Sequence, residues 1–177
     1  VSRIKLVILL LPILLPGLLA AQNSKIALMG GASIPDLFHA GTGIYLYENV
    51  ALNFKLGTAF HGKYGFWGTY SLGSDLSFYF GRESKKQGAK QWAFNSGITY
   101  LKDESAGNIW RYIYSDSSVS YDLYVSRNVV FQPELGILFQ LSKKVEEKPE
   151  YEPGWFGYLD VDLPVLPVVG ARFKIFL

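Results

Sequence analysis

The sequence predicts an all-β fold, an eight-stranded antiparallel up-and-down transmembrane β-barrel. Three observations predict it. Beyond residue 22, apolar residues alternate with small or polar ones at period two, and successive side chains of a strand point to opposite faces. The connections between these segments are alternately short and mostly longer, as in membrane barrels. The hydrophilic rows are rich in Gly, Ala, Ser and Asn and poor in long charged side chains, which suits a narrow enclosed interior better than a water-facing sheet.

The segment that precedes the strands has a different pattern. Residues 1–21 open with Arg3 and Lys5, continue with an apolar run from Leu6 to Leu19, and close on Ala20 and Ala21. A basic start, an apolar middle and a small-residue end form the secretory pattern, so a cleaved signal peptide is expected over 1–21 and a barrel domain over 22–177. The run falls short of the ~20 residues of a spanning helix, and Pro12 and Pro16 interrupt it. Loss of Arg3 and Lys5 would reduce the 17 basic residues to 15, against 15 acidic ones. A neutral chain carries no basic nucleic-acid footprint.

Two weak strands come first, near Lys25–Ser33 and Gly41–Tyr47. In Val50–Phe60, Val50, Leu52, Phe54 and Leu56 alternate with Ala51, Asn53, Lys55 and Gly57. Tyr70–Phe80 sets Leu72, Leu76, Phe78 and Phe80 against Ser71, Gly73, Asp75 and Ser77. Gln91–Leu101 sets Trp92, Phe94 and Ile98 against Ala93, Asn95 and Gly97. Ser118–Val125 sets Val119, Tyr121 and Leu123 against Ser118, Ser120 and Asp122. Val129–Leu141 sets Phe131, Leu135, Ile137 and Phe139 against Gln132, Glu134 and Gly136, and Val165–Leu177 sets Val169, Phe173 and Ile175 against Gly170, Arg172 and Lys174. The short connections are Glu48-Asn49, Gly81–Lys90 and Arg127-Asn128. The longer ones are Ile34–Ala40, His61–Thr69, Lys102–Ser117 and Ser142–Pro164.

The charges on the hydrophilic rows can be matched. Flush pairing of the third and fourth strands sets Lys55 opposite Asp75. Flush pairing of the last two sets Glu134 opposite Arg172 and Gln132 opposite Lys174. Asp122 lies on the hydrophilic row of the sixth strand. Removing one partner of a buried ion pair costs about 3–5 kcal/mol, so an enclosed interior needs opposite signs at matched depth. On a water-facing sheet such a pair is worth roughly 0–1 kcal/mol and needs no match. Aromatic residues, 16% of the chain, gather at strand ends: Tyr45, Tyr47, Phe78, Tyr79, Phe80, Trp92 and Phe176 at the short-turn end, and Tyr70, Tyr100, Trp110, Tyr112, Trp155 and Phe156 among those at the other. Such rings form girdles at both lipid–water boundaries.

These features resemble the small eight-stranded outer-membrane β-barrel proteins of Gram-negative bacteria, the OmpA/OmpX-type architecture, over essentially all of 22–177. The resemblance implies residence in the outer membrane, contact with outer-membrane lipids and lipopolysaccharide, and insertion by the barrel-assembly machinery. Members end in an aromatic-bearing strand that this machinery reads. Val169-Gly170-Ala171-Arg172-Phe173-Lys174-Ile175-Phe176-Leu177 is similar but ends in Leu: either Leu177 substitutes, or Phe176 shifts the register by one.

Chemistry-bearing residues are sparse. There is no cysteine, which excludes disulfides and thiolate chemistry. Some barrels of this size acylate or deacylate lipid A, which needs a nucleophile, a base and an orienting acid. His39 or His61 with Asp116 and Ser117 or Ser118 can be drawn at the loop rim, but the tight His-x-Ser spacing of the deacylase-type barrels is missing. Both histidines are expected to be solvated loop residues. The Ser142–Pro164 loop mixes Glu146, Glu147 and Glu150 with Lys143, Lys144 and Lys148 and has no ordered calcium-binding pattern. No catalytic residue, metal or cofactor is expected. Trp110, Arg111, Tyr112, Trp155, Phe156 and Tyr158 are the candidates for binding an unknown surface partner, because exposed aromatics and Arg favour binding hot spots. The function expected is therefore a non-enzymatic outer-membrane barrel, with a structural or surface-interaction role. A lipid A-modifying enzyme and a soluble periplasmic ligand-binding barrel are the alternatives.

Overall fold

The computed structural model describes residues 26–34, 38–58, 69–83, 90–104, 108–147 and 163–177. Residues 1–21, His61, Trp155, Phe156 and Tyr158 lie outside the described residues. Eight long strands are β1 (Ile26–Ile34), β2 (Phe38–Tyr47), β3 (Val50–Thr58), β4 (Thr69–Glu83), β5 (Lys90–Glu104), β6 (Asn108–Tyr121), β7 (Val129–Glu147) and β8 (Val165–Phe176). Past a break at Asp122, Leu123–Tyr124 continues the line of β6 against β7. Each strand pairs antiparallel with its neighbours in sequence, and β1 pairs with β8, so the sheet closes into an up-and-down barrel.

The registers fix its dimensions. Partners followed around the wall from Leu28 are Thr42, Phe54, Ser74, Ile98, Ser115, Phe139 and Val165. Continuing the β8–β1 register, in which Ile34 faces Val169, sets Val165 level with position 38 on the line of β1. The circuit has climbed ten residues, from 28 to 38. For eight strands about 4.8 Å apart with about 3.3 Å rise per residue, this stagger gives a tilt of about 40° and a backbone radius of about 8 Å. Side chains fill a cylinder of that size.

Two local features accommodate the curvature. At Gly97 an added Cβ would lie 2.1 Å from the Ser74 carbonyl oxygen and 2.6 Å from the Asp75 Cα, so only glycine lets β4 and β5 approach there. Near the end of β4, where its register with β5 shifts, Gly81 has φ of 85°, in the left-handed region that favours glycine.

The expectation for the third long connection is overturned. Lys102–Ser117 is almost entirely strand, with only residues 105–107 between β5 and β6. The signal escaped because its polarity is inverted: Trp110, Tyr112 and Tyr114 occupy the interior row, while Lys102 and Arg111 stand on the outer one. β7 likewise runs six residues beyond its expected end at Leu141. An irregularity between Ile113 and Tyr114, where Leu141 is the additional residue on β7, carries the β6–β7 pairing into that extension.

Candidate functional site

The barrel is inside-out relative to a water-soluble fold. Leu72, Phe78, Phe94, Ile98, Leu135, Phe173 and other large apolar side chains are exposed on the outer wall, Leu135 by 66%. Ionic and amide groups are enclosed, with Asp75 exposed by 2% and Arg172 by 1%.

The interior is layered. Toward the long-loop end, Leu101, Tyr112, Tyr114, Leu138, Leu166 and Val168 form an apolar plug against which Trp110 packs. Toward the short-turn end, the hydroxyls of Tyr45 and Tyr79 hydrogen-bond at 2.9 Å above Ala51 and Ala93. Between them runs a polar network. Lys55 Nζ lies 2.9 Å from Asp75 and 3.6 Å from Asp116. Asn53 Nδ2 donates to Asp75 (2.6 Å) and Ser77 (2.7 Å), and Ser77 Oγ donates to Asn95 (2.6 Å). Asn95 Nδ2 donates to Ser118 and Ser120 at 3.1 and 3.0 Å, and Ser118 Oγ donates to Glu134. Arg172 Nη2 stands 3.8 Å from Glu134, while its Nε donates to Gln132, which donates in turn to Asp122. Lys174 Nζ donates to the Tyr79 hydroxyl at 2.7 Å and lies 3.6 Å from Asp122. Links thus span every strand from β3 to β8.

The structure corrects the flush registers behind the sequence-level pairs. Lys55 faces Gly73 and Asp75 faces Asn53. Glu134 faces Gly170, Gln132 faces Arg172, and Val130 faces Lys174. Each register is offset by two residues. An even offset leaves every side chain on its own face, and long side chains reach a diagonal neighbour. Lys55 therefore still meets Asp75, and Arg172 still meets Glu134. Lys174 meets Asp122 rather than Gln132.

Other placements change more. Tyr112 is no loop residue: it is 2% exposed and sits inside the apolar plug. Trp110 is half-buried, its ring parallel to that of Tyr112 and capped by Lys143 Nζ at 4.4 Å. Among the three residues placed in that loop, Arg111 stands on the outer wall and donates to Glu146 at 2.5 Å. That hydrogen bond holds the Glu146 carboxyl below the usual glutamate range. Tyr45 and Tyr79 belong to the interior, not to the girdle. The rim constellation dissolves as well. Asp116 and Ser118 lie inside the barrel on β6, and His39 is buried on β2 with Nδ1 3.4 Å from Ser33 Oγ.

The residues that sequence reasoning left out of the network had a visible signal. Asn53, Ser77, Asn95 and Ser118 all fall on the hydrophilic rows, and Tyr79 shares the phase of Asp75. Asp116 was hidden because its segment read as a loop. No group of three or more potential metal ligands occurs among the described residues. Comparison with known protein families finds no family that matches the chain, and comparison with curated proteins finds no match either.

Proposed function

We propose that this chain is an outer-membrane β-barrel whose interior is closed to solute flow and whose role is structural or lies in surface interaction at the long-loop end. The observation that carries this reading is the segregation of the wall: apolar side chains outside, a paired ionic layer inside. In water, an apolar outer belt of this kind would drive aggregation. In a bilayer it matches the acyl chains, while Lys55, Arg172 and Lys174 each stand within 4 Å of an enclosed carboxylate. From Tyr70 to Phe80 the outer row of β4 covers ten residues, which at about 40° tilt is about 25 Å, the height of a bacterial outer-membrane belt.

The layered interior supports a barrier rather than a pore. The apolar plug, the ionic layer and the tyrosine pair stack along a lumen of about 8 Å backbone radius, which side chains fill. No enzymatic role, cofactor or nucleic-acid partner is proposed for the barrel. Outer-membrane lipids and lipopolysaccharide are its immediate surroundings, the barrel-assembly machinery its route of insertion, and the surface partner is unassigned. Cell fractionation tests the location. The protein is expected in the outer-membrane pellet, released only by detergent. A monomer soluble without detergent would overturn the proposal and favour the periplasmic barrel. An altered lipid A acyl pattern on expression would instead favour the enzyme.

A further inference from the structure

The apolar belt is not uniform. Across β2 to β5 it is notched by a groove of about 590 Å³. Two registered rows make it: Ala40, Leu56, Leu72 and Tyr100 in one, and Thr42, Phe54, Ser74 and Ile98 in the other. The small side chains of Ala40, Thr42 and Ser74 form its floor, and the large ones its walls. Its volume falls within the roughly 300–1,000 Å³ of small-molecule sites. Its lining is overwhelmingly apolar.

The groove ends at Tyr100, and polar groups begin there. The Tyr100 ring tilts against that of Tyr70, with centroids 6.2 Å apart, and Lys102 Nζ stands 5.7 Å from the centre of the Tyr70 ring. One step further along β5, three basic residues stand opposite one another in register on adjacent strands: Lys102 faces Arg111, and Arg111 faces Lys144. Glu104 and Glu146 lie among them, so the cluster carries three positive and two negative charges. Its pairs are Lys102–Glu104 at 2.7 Å, whose side chains are largely covered, and the more open Arg111–Glu146 at 2.5 Å, an exposed pair of the weak kind that readily shares a partner with a second anion. Depth agrees with the charges. Lys102 lies ten residues along β5 from Trp92, about 25 Å up the axis at this tilt. If Trp92 marks one boundary of the hydrocarbon, Lys102 stands at the headgroup level of the other.

We propose that this wall holds one anionic phosphorylated lipid of the outer leaflet, with an acyl chain in the β2–β5 groove and phosphate against Lys102, Arg111 and Lys144. The inference rests on the membrane reading above. A flexible chain fills a shallow apolar trough, and a phosphate complements the net positive rim. A second copy fits worse: a two-fold interface centred on the groove would set one concavity against another.

Native mass spectrometry of the full chain, folded in detergent and loaded with lipid A, tests it. Wild type is expected to retain one lipid A molecule per barrel. Dephosphorylated lipid A, with the same chains, should be retained about tenfold less. The triple variant Lys102→Ala/Arg111→Ala/Lys144→Ala should lose more, about a hundredfold, since each basic residue at an anionic surface contributes several-fold in affinity and the three contributions multiply. Ser74→Leu, which fills the floor without touching charge, should also weaken retention. Equal retention of both lipids, equal retention by the variants, or a dimer that carries no lipid would overturn the proposal. Gel mobility before and after boiling reports whether each variant folds. A protein found in the membrane that retains no lipid sinks this inference alone, whereas a protein soluble without detergent sinks the membrane reading.

Discussion

Replacing Arg172 by Leu removes the cation at the centre of the interior network. Arg172 is buried, 3.8 Å from Glu134, with its Nε donating to Gln132. The substitution leaves the Glu134 carboxylate enclosed, with Ser118 (2.5 Å) and Asn95 (3.5 Å) as its remaining hydrogen-bond donors. Gln132 also loses a donor. Breaking a buried pair costs about 3–5 kcal/mol. The 3.8 Å separation and the residual donors place this case near the lower end, so about 3 kcal/mol is expected, roughly two decades in the unfolding equilibrium constant. With an m-value of about 2 kcal/mol/M, the urea midpoint should fall by about 1.5 M. The assay is urea unfolding of the protein folded into lipid vesicles, followed by tryptophan fluorescence and by the gel mobility of unboiled samples. Lys143→Leu is the comparison: Lys143 is exposed, and its contact with the Trp110 ring is worth about 0.5–1 kcal/mol. Arg172→Leu/Glu134→Gln should regain much of the loss, because neither member of that pair is then left charged without the other. The reasoning fails if Arg172→Leu unfolds at the wild-type midpoint, or if the double variant loses the full sum of both single changes.

Leu135→Arg, on the outer face of β7, should cost about 2–4 kcal/mol in vesicle unfolding, while Ser142→Arg, beyond the belt, should cost about 0–1 kcal/mol; equal costs would mean that no lipid surrounds the wall. Gly97→Val should destabilise by about 1–3 kcal/mol, since its side chain meets the Ser74 and Asp75 backbone. Unchanged stability on the same assay would contradict that close approach. The Glu146 carboxyl should titrate below an ordinary glutamate by NMR and move upward in Arg111→Ala. Because its folded-state value is depressed, the interaction contributes above the ordinary glutamate range and is lost as pH falls through the depressed value. A Glu146 titration unmoved by Arg111→Ala would assign the shift to another group.

Phase and reach divide what the sequence discloses from what it hides. Period-two alternation determined the strands and assigned each residue a face, because a pleated chain offers only two directions. Asp75, Asn95, Gln132 and Arg172 were therefore legible as interior residues, and so in principle was Tyr79, which shares the phase of Asp75 but was read by its ring alone. Register was not legible. A slip of two residues preserves every face, so nothing in the alternation distinguishes Lys55 opposite Asp75 from Lys55 opposite Gly73. The hairpin of β5 and β6 was lost for another reason. At that height the lumen is filled by Trp110, Tyr112 and Tyr114, and the outer row carries Lys102, Arg111 and Lys144, so the link between polarity and face reverses. Only the paired barrel decides which level of a strand lies along the apolar belt and which along the charged rim. Closure also decided the network, by bringing Lys174 beside Tyr79 across 95 residues of chain. Strand pairing made the groove, by bringing the small residues of β2 and β4 into register on either side of β3.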